Sequence, residues 1–274
     1  MPNLPDGCSV QDLSVIFATP TLGTYADEFL HSNRGTMMLL GRHGIPFGFI
    51  ETRQKTFMGV ARDQLATAFL TKMTDAQNLF FIDDDVGWPP EKVLEFLFAP
   101  EPIIAGIPPL KKEPLLERIK DAIASFDRDY DNNCIDHGAL AGFYDQIKEL
   151  EAGAMEFPWN PVRNADGTVA RNGRGMLLAN MVPFGFVRIK RAALERIAEM
   201  SPQYKEQGIN ATSTDSLFAL FPDGPDEDFI HRGEDFAFCR GAEHFGVPIA
   251  VDPDIEFGHR GSHVFRGKLA DTLR

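Results

Sequence analysis

The chain has few cysteines, a shortage of basic residues and no long apolar run, and each shortage narrows what it can be. Its 274 residues include three cysteines. Cys8, Cys134 and Cys239 lie far apart, with no Cys-x-x-Cys pair. That pattern argues against a disulfide framework or a zinc site, and for a reducing, cytoplasmic setting. The first residues, MPNLPDGCSVQDL, carry neither a basic nor an apolar targeting region, so no signal peptide is expected. No apolar stretch reaches the roughly 20 residues that a membrane-spanning helix needs. Lysine and arginine number 27 against 40 aspartates and glutamates, for a net charge of -13. Such a surface gives no general reward for approaching phosphates, so no nucleic-acid partner is expected. A small anionic substrate would need a bridging cation or a local basic pocket. Internal repeats and low-complexity tracts are also absent.

What is present reads as a globular α/β domain. Hydrophobic residues make up 43% and charged residues 24%, enough for a sizeable core. LSVIFATPTLG (13–23), GIPFGFIETR (44–53), NLFFI (78–82) and PIIAGI (102–107) read as strands. GVARDQLATAFLTKM places apolar residues at helical spacing, and PPEKVLEFLF opens a helix with proline in its first turn. Strands alternating with helices predict an α/β fold with a parallel sheet. From about 111 to 175 the pattern changes. LLERIKDAIASFDRDYDNN and YDQIKELEAGAMEF look helical, and NADGTVARNGRG looks like turns. Regularity returns with MVPFGFVRIKRAALERIAEM, a strand and a helix. GEDFAFCRGAEHFG is a helix with Phe236, Cys239, Arg240 and Ala242 on its buried stripe, and VPIAVDP is a last strand. We expect a single domain, with a first half at about 11–110, an insertion at about 111–175 and a second half at about 176–267.

The chemistry centres on FFIDDDVGWPP. In α/β sheets, ligands bind beyond the C-terminal ends of strands, and Asp83, Asp84 and Asp85 stand at such an end. Alternation in an extended segment puts Asp83 and Asp85 on one side and turns Asp84 away. Two converging carboxylates repel each other unless a cation joins them. A hard ion such as Mg²⁺ or Mn²⁺ suits their oxygens and can hold a diphosphate on its other side. The bland reading is a solvated acidic turn that favours the start of the next helix. A third reading is a Mg²⁺-dependent phosphohydrolase with Asp83 as nucleophile. The position of the triplet, beyond the first strand, weighs against that one.

Three segments, in order, resemble a nucleotide-sugar glycosyltransferase of the GT-A fold, of the soluble bacterial and phage kind. They are FFIDDDVGWPPEKVLEFL, IIAGIPPLKK and GEDFAFCRGAEHFGVPIAVDPDIEFGHRGSHVFRG. The resemblance covers about 13–107 and 181–267. It implies a Rossmann-like α/β fold with a mixed, mostly parallel sheet flanked by helices, and that Asp83-x-Asp85 is the family's Asp-x-Asp motif. Asp85 would bind Mn²⁺ or Mg²⁺, and Asp83 the ribose or the metal's water shell. Asp84 is the variable middle position on the donor side. His259 resembles the family's C-terminal metal-ligand histidine. ATPTLGTY resembles its first nucleotide-binding loop, with Thr19 and Pro20 as candidates. Arg62 matches an arginine placed near the nucleotide, although Asp63 stands where the family commonly has asparagine. Read from the residues alone, Arg62 is equally a helix-surface partner of Asp63 or another acid.

The resemblance also implies that Asp235 is the catalytic base if the enzyme inverts configuration, with Glu234 on the acceptor. Read locally, the two are acids favoured by a helix N-terminus. Gly185 would admit the donor sugar to the backbone, while Phe184 and Phe186 read as core. Trp88 suits either packing or stacking on an acceptor sugar. Lys111, Lys112 and His263 read as structural, with phosphate contact the alternative. The expectation is therefore a metal-dependent transferase moving a sugar from a nucleoside-diphosphate sugar to an acceptor hydroxyl. Glycan, lipid-linked sugar, protein and small-molecule acceptors stay open, as does the oligomeric state. The rivals are the phosphohydrolase and a non-catalytic nucleotide-sugar or glycan-binding protein.

Overall fold

The computed structural model describes residues 9–53, 57–112, 155–206, 216–225 and 229–273. The helix expected over 115–133 lies outside them, as does that expected over 144–157 except for Met155–Phe157, which are not helical. In chain order the first half holds β1 (Val15–Thr21), α1 (Asp27–Arg42), β2 (Phe47–Arg53), α2 (Met58–Lys72) and β3 (Asn78–Ile82). It continues with β4 (Val86–Gly87), α3 (Pro90–Phe98) and β5 (Ile103–Ala105). The second half holds β6 (Asn160–Pro161), β7 (Leu177–Met181), β8 (Phe186–Lys190), α4 (Arg191–Ala198), β9 (Gln203–Tyr204) and β10 (Leu217–Phe218). Then come β11 (Gly224–Pro225), β12 (His231–Arg232), α5 (Glu234–His244), β13 (Ile249–Val251), β14 (Phe257–Arg260) and β15 (Val264–Gly267).

Eight strands form one sheet in the order β2-β1-β3-β8-β5-β13-β7-β6. β1 pairs in parallel with both β2 and β3, and β13 pairs in parallel with β5. β8 is inserted antiparallel between β3 and β5, and β7 runs antiparallel to both β13 and β6. Six strands therefore point one way and two the other. This is the mixed, mostly parallel sheet that the resemblance implies, and it is compatible with a Rossmann-like fold. Helices cover both faces. Leu79 and Phe81 of β3 join a core with Leu65 and Phe69 of α2, Leu194 of α4 and Phe238 of α5. Phe80 and Ile82, pointing the other way, join Phe29 and Leu40 of α1 and Val93 and Phe96 of α3. A strand buried on both faces reads as a continuous apolar run, which is why NLFFI is legible as one.

Three expectations change. β7 was not expected, because its MLLANM stretch has no clear alternation. VPIAVDP is not the last strand, since β14 and β15 follow it, and β14 pairs with both β15 and β4 in a separate three-stranded sheet. On α5 the buried positions are Phe238, Cys239 and Ala242, so the stripe is displaced from Phe236 and Arg240.

Two buried arginines tie helix ends to the sheet. Arg188 of β8 is 0% exposed. Its guanidinium donates to the carbonyls of Phe96 (3.1 Å), Ala99 (2.9 Å) and Glu101 (2.6 Å) at the end of α3. Burial depresses its pKa to about 9, and the surrounding carbonyls hold it as a cation at neutral pH. Arg191 does the same at the end of α2, donating to Met73 O (2.7 Å) and Ala76 O (2.6 Å), with its guanidinium 4.2 Å above the Phe69 ring. Both bond carbonyls at helix C-termini, where Phe96 O also accepts from Ala99 N–H and Met73 O from Ala76 N–H.

Candidate active site

The aspartate triplet is a turn. Val86 N–H donates to Asp83 O at 3.3 Å, so the extended alternation ends at Ile82 and the three side chains part. Asp83 Oδ1 lies 3.3 Å from Arg62 Nη2. Asp83 also lies against Gly185, where a Cβ would sit 3.3 Å from Asp83 Oδ2. Gly185 thus gives room to a carboxylate of the protein itself. Asp84 Oδ2 accepts from Thr21 Oγ1 at 2.6 Å. Burial raises the Asp84 carboxyl, and the charges of Asp85 and Asp83 add to the rise against the Thr21 bond. Asp85 Oδ1 lies 3.3 Å from His259 Nε2, and Lys111 Nζ contacts Asp85 Oδ2. Burial alone would raise the Asp85 carboxyl, but His259 and Lys111 outweigh it and hold it below the usual range. Asp83 and Asp85 therefore do not converge. Among the described residues no group of three or more His, Cys, Asp or Glu side chains is gathered around one point.

Strand pairing brings His259 to Asp85. β4 follows the turn directly and pairs antiparallel with β14, matching Val86 with His259 and Gly87 with Gly258. Arg260 N–H then donates to Asp85 O at 2.8 Å. His259 Nδ1 is 2.7 Å from Pro109 O. A carbonyl only accepts, so Nδ1 carries a proton, and Nε2 is the nitrogen turned toward Asp85. A ring nitrogen and a carboxylate oxygen so placed share either a proton or a metal ion. Orientation of a ligating ring by a carbonyl on its far nitrogen is the usual support of a metal-binding histidine. The Lys111 ammonium already serves as a cation on the other oxygen. These donors fit a hard divalent ion, with Asp85 and His259 as its holders.

Beside this pair lies a cleft of about 430 Å³, lined among others by Pro20, Thr21, Tyr25, Met58, Asp84 and Arg260. It opens at the C-terminal ends of β1 and β3. Pro20 lines it as expected. Thr19 does not, being buried in β1 at 5% exposure, and Thr21, two residues on, takes its place. Tyr25 O–H donates to Glu51, which also pairs with Arg53. Burial and the Glu51 carboxylate push the Tyr25 phenol up to about 12.

On the far side of Asp83, α2 meets α5. Gly59 permits this approach, since a Cβ there would lie 2.4 Å from Phe221 O and 3.4 Å from Glu234 Cβ. One turn later Arg62, only 3% exposed, pairs with Glu234 Oε1 at 2.8 Å and with Asp235 Oδ1 as well as with Asp83. Asp235 Oδ2 accepts from Phe184 N–H at 3.1 Å. Arg62 is thus an ion-pair partner of acids, yet neither on the helix surface nor bound to Asp63. Asp63 is buried on its own account. It accepts from Leu220 N and Phe221 N (2.8 Å each) and from Tyr204 O–H (2.9 Å). Trp88 is 4% exposed with its Nε1 on Thr36 Oγ1 at 3.0 Å, so it packs and presents no stacking face. His263 is exposed, its ring against Phe265. Phe184 and Phe186 are core, both 0% exposed.

Sequence reasoning missed Thr21, Tyr25 and Arg260. The first two stand inside the quoted loop ATPTLGTY, and Arg260 directly follows His259, but no spacing distinguishes them. No helix among the described residues is long and apolar enough to cross a membrane.

No family model matches the chain, and no curated protein matches it. Among solved structures, the chain is similar to a glycosyltransferase involved in the glycosylation of the major capsid of PBCV-1, at 13% identity and a TM-score of 0.26. The match covers 34% of this chain and spans about half, 51%, of that one.

Proposed function

We propose that this chain is a metal-dependent glycosyltransferase that moves a sugar from a nucleoside-diphosphate sugar to an acceptor hydroxyl. The observation that carries the reading is the Asp85–His259 pair beside the cleft, with the ring fixed by Pro109 O and its Nε2 facing a carboxylate. Asp85 and His259 hold Mn²⁺ or Mg²⁺, and the bound ion supplies the positive charge that a leaving diphosphate needs. Pro20, Thr21 and Asp84 line the donor side of the cleft. Arg260 and Lys111 add the local basic character that an acidic protein needs to admit a diphosphate. Asp83 serves through Arg62 rather than as a direct ligand. Asp235 and Glu234 face the acceptor side, with Asp235 as the base if configuration is inverted.

The test is thermal unfolding with UDP-glucose or GDP-mannose, each with and without Mn²⁺. At about 100 times Kd a ligand adds about 2.7 kcal/mol. A rise of several degrees that needs both nucleotide and metal is expected, and Asp85→Ala should abolish the metal-dependent part. If a broader panel of nucleoside-diphosphate sugars also leaves the melting temperature unmoved, the transferase reading is wrong. Release of phosphate from p-nitrophenyl phosphate without nucleotide binding would point to a phosphohydrolase instead.

A further inference from the structure

We infer that Arg62 is a positioning residue, holding Asp235 and Glu234 in place for transfer without touching the donor. The inference rests on the transferase reading. The burial order argues for it. The Arg62 side chain is 3% exposed, whereas Asp83, Glu234 and Asp235 are 29%, 20% and 23% exposed. The cation is more buried than each of the three acids paired with it, so an anion coming from solvent meets carboxylates before it meets the guanidinium. Its back is closed by the Phe184 ring, 5.7 Å from the guanidinium carbon. Nη1 is taken by Glu234 and Asp235, and Nη2 by Asp83.

The arrangement also fixes direction. Asp235 is held at one oxygen by Arg62 and at the other by Phe184 N–H. Two anchors on one carboxylate set its plane, which is what a group aimed at one hydroxyl requires. The same guanidinium reaches the end of β3 through Asp83, so one side chain spans the donor side and the acceptor side. Lysine cannot reproduce this, because an ammonium lacks the planar fork that serves several carboxylates at once.

The experiment uses Arg62→Met and Arg62→Lys in the full chain, with Mn²⁺ and UDP-glucose or GDP-mannose, whichever stabilises the wild type. Donor affinity is read by calorimetry and turnover by release of nucleoside diphosphate. In Arg62→Met, donor affinity should stay within about threefold while kcat falls about 100-fold, the usual cost of a misplaced group. Arg62→Lys should recover part of the loss. A tenfold or greater loss of donor affinity with kcat retained would make Arg62 a donor contact and overturn the inference. If the wild type binds no donor of the broader nucleoside-diphosphate sugar panel, the transferase reading fails separately, and the lock is read from stability alone. The melting temperature lost in Arg62→Met should then return when Glu234→Gln and Asp235→Asn are added, since the repulsion between uncompensated acids is gone. No recovery in that triple variant overturns the lock as well.

Discussion

The pair beside the cleft asks most of one side chain, His259. Its ring is 18% exposed and is bonded to Pro109 O, so its removal costs packing as well as the direction its Nε2 faces. His259→Ala should weaken Mn²⁺ binding at least tenfold, by calorimetry, and lower the melting temperature of the metal-free protein by about 2–4 °C for each kcal/mol of packing lost. Equal Mn²⁺ affinity in the variant would remove His259 from the site. The pairing of Asp85 with His259 could be read from the sequence through the resemblance, although the two are far apart along the chain. The path of Asp83 could not. Alternation is a property of extended backbone, and it does not carry past Ile82, where NLFFI ends and the aspartates turn. The environment of Arg62 was equally hidden, because a single arginine within a helix gives no sign of what the rest of the chain brings to it.

At the scale of elements, α3 depends on a residue far from it in sequence. Arg188 satisfies the carbonyls of Phe96, Ala99 and Glu101, and no water can replace it at full burial. Arg188→Met keeps the volume and loses every donor. It should cost about 3–5 kcal/mol in urea unfolding, since buried carbonyls left without partners cost about 1–3 kcal/mol each and relaxation recovers part. The transition slope should be unchanged, because the fold is retained. A loss under about 1 kcal/mol would mean that the carbonyls find other partners. The elements themselves were largely legible. NLFFI matches β3 in full, and Pro90 marks the first turn of α3 as its fixed φ dictates. Short strands such as β14 and β15 were not legible, because four residues of mixed character owe their conformation to the partner strand.

For the molecule as a whole, Asp63 makes stability depend on pH in the less common direction. Burial raises its carboxyl to about 6, against the pull of its bonds to Phe221, Tyr204 and Leu220. The unfolded value is near 3.9. Between those values the folded chain keeps a proton that the unfolded chain has lost. Its contribution therefore favours folding below about pH 4, declines as pH rises to about 6 and is level above that. Asp63→Asn keeps an oxygen for the two backbone N–H groups and titrates nothing. It should remove a decline on the order of 2 kcal/mol between pH about 4 and 6, measured by urea unfolding across that range. Parallel curves for the two proteins would show that Asp63 does not carry the effect.

The insertion of β8 between β3 and β5 has a consequence for synthesis. Two strands made early are held apart until a strand from much later in the chain arrives to join them. While the first hundred residues leave the ribosome, β3 and β5 have no sheet partner on the sides that β8 will fill, and unpaired edges invite the wrong neighbour. The late arrivals β8, α5 and β14 also carry or support Gly185, Asp235 and His259. A nascent chain that stalls midway therefore has the aspartate turn and none of these three later partners, so the surroundings of the turn are complete only when the sheet is closed.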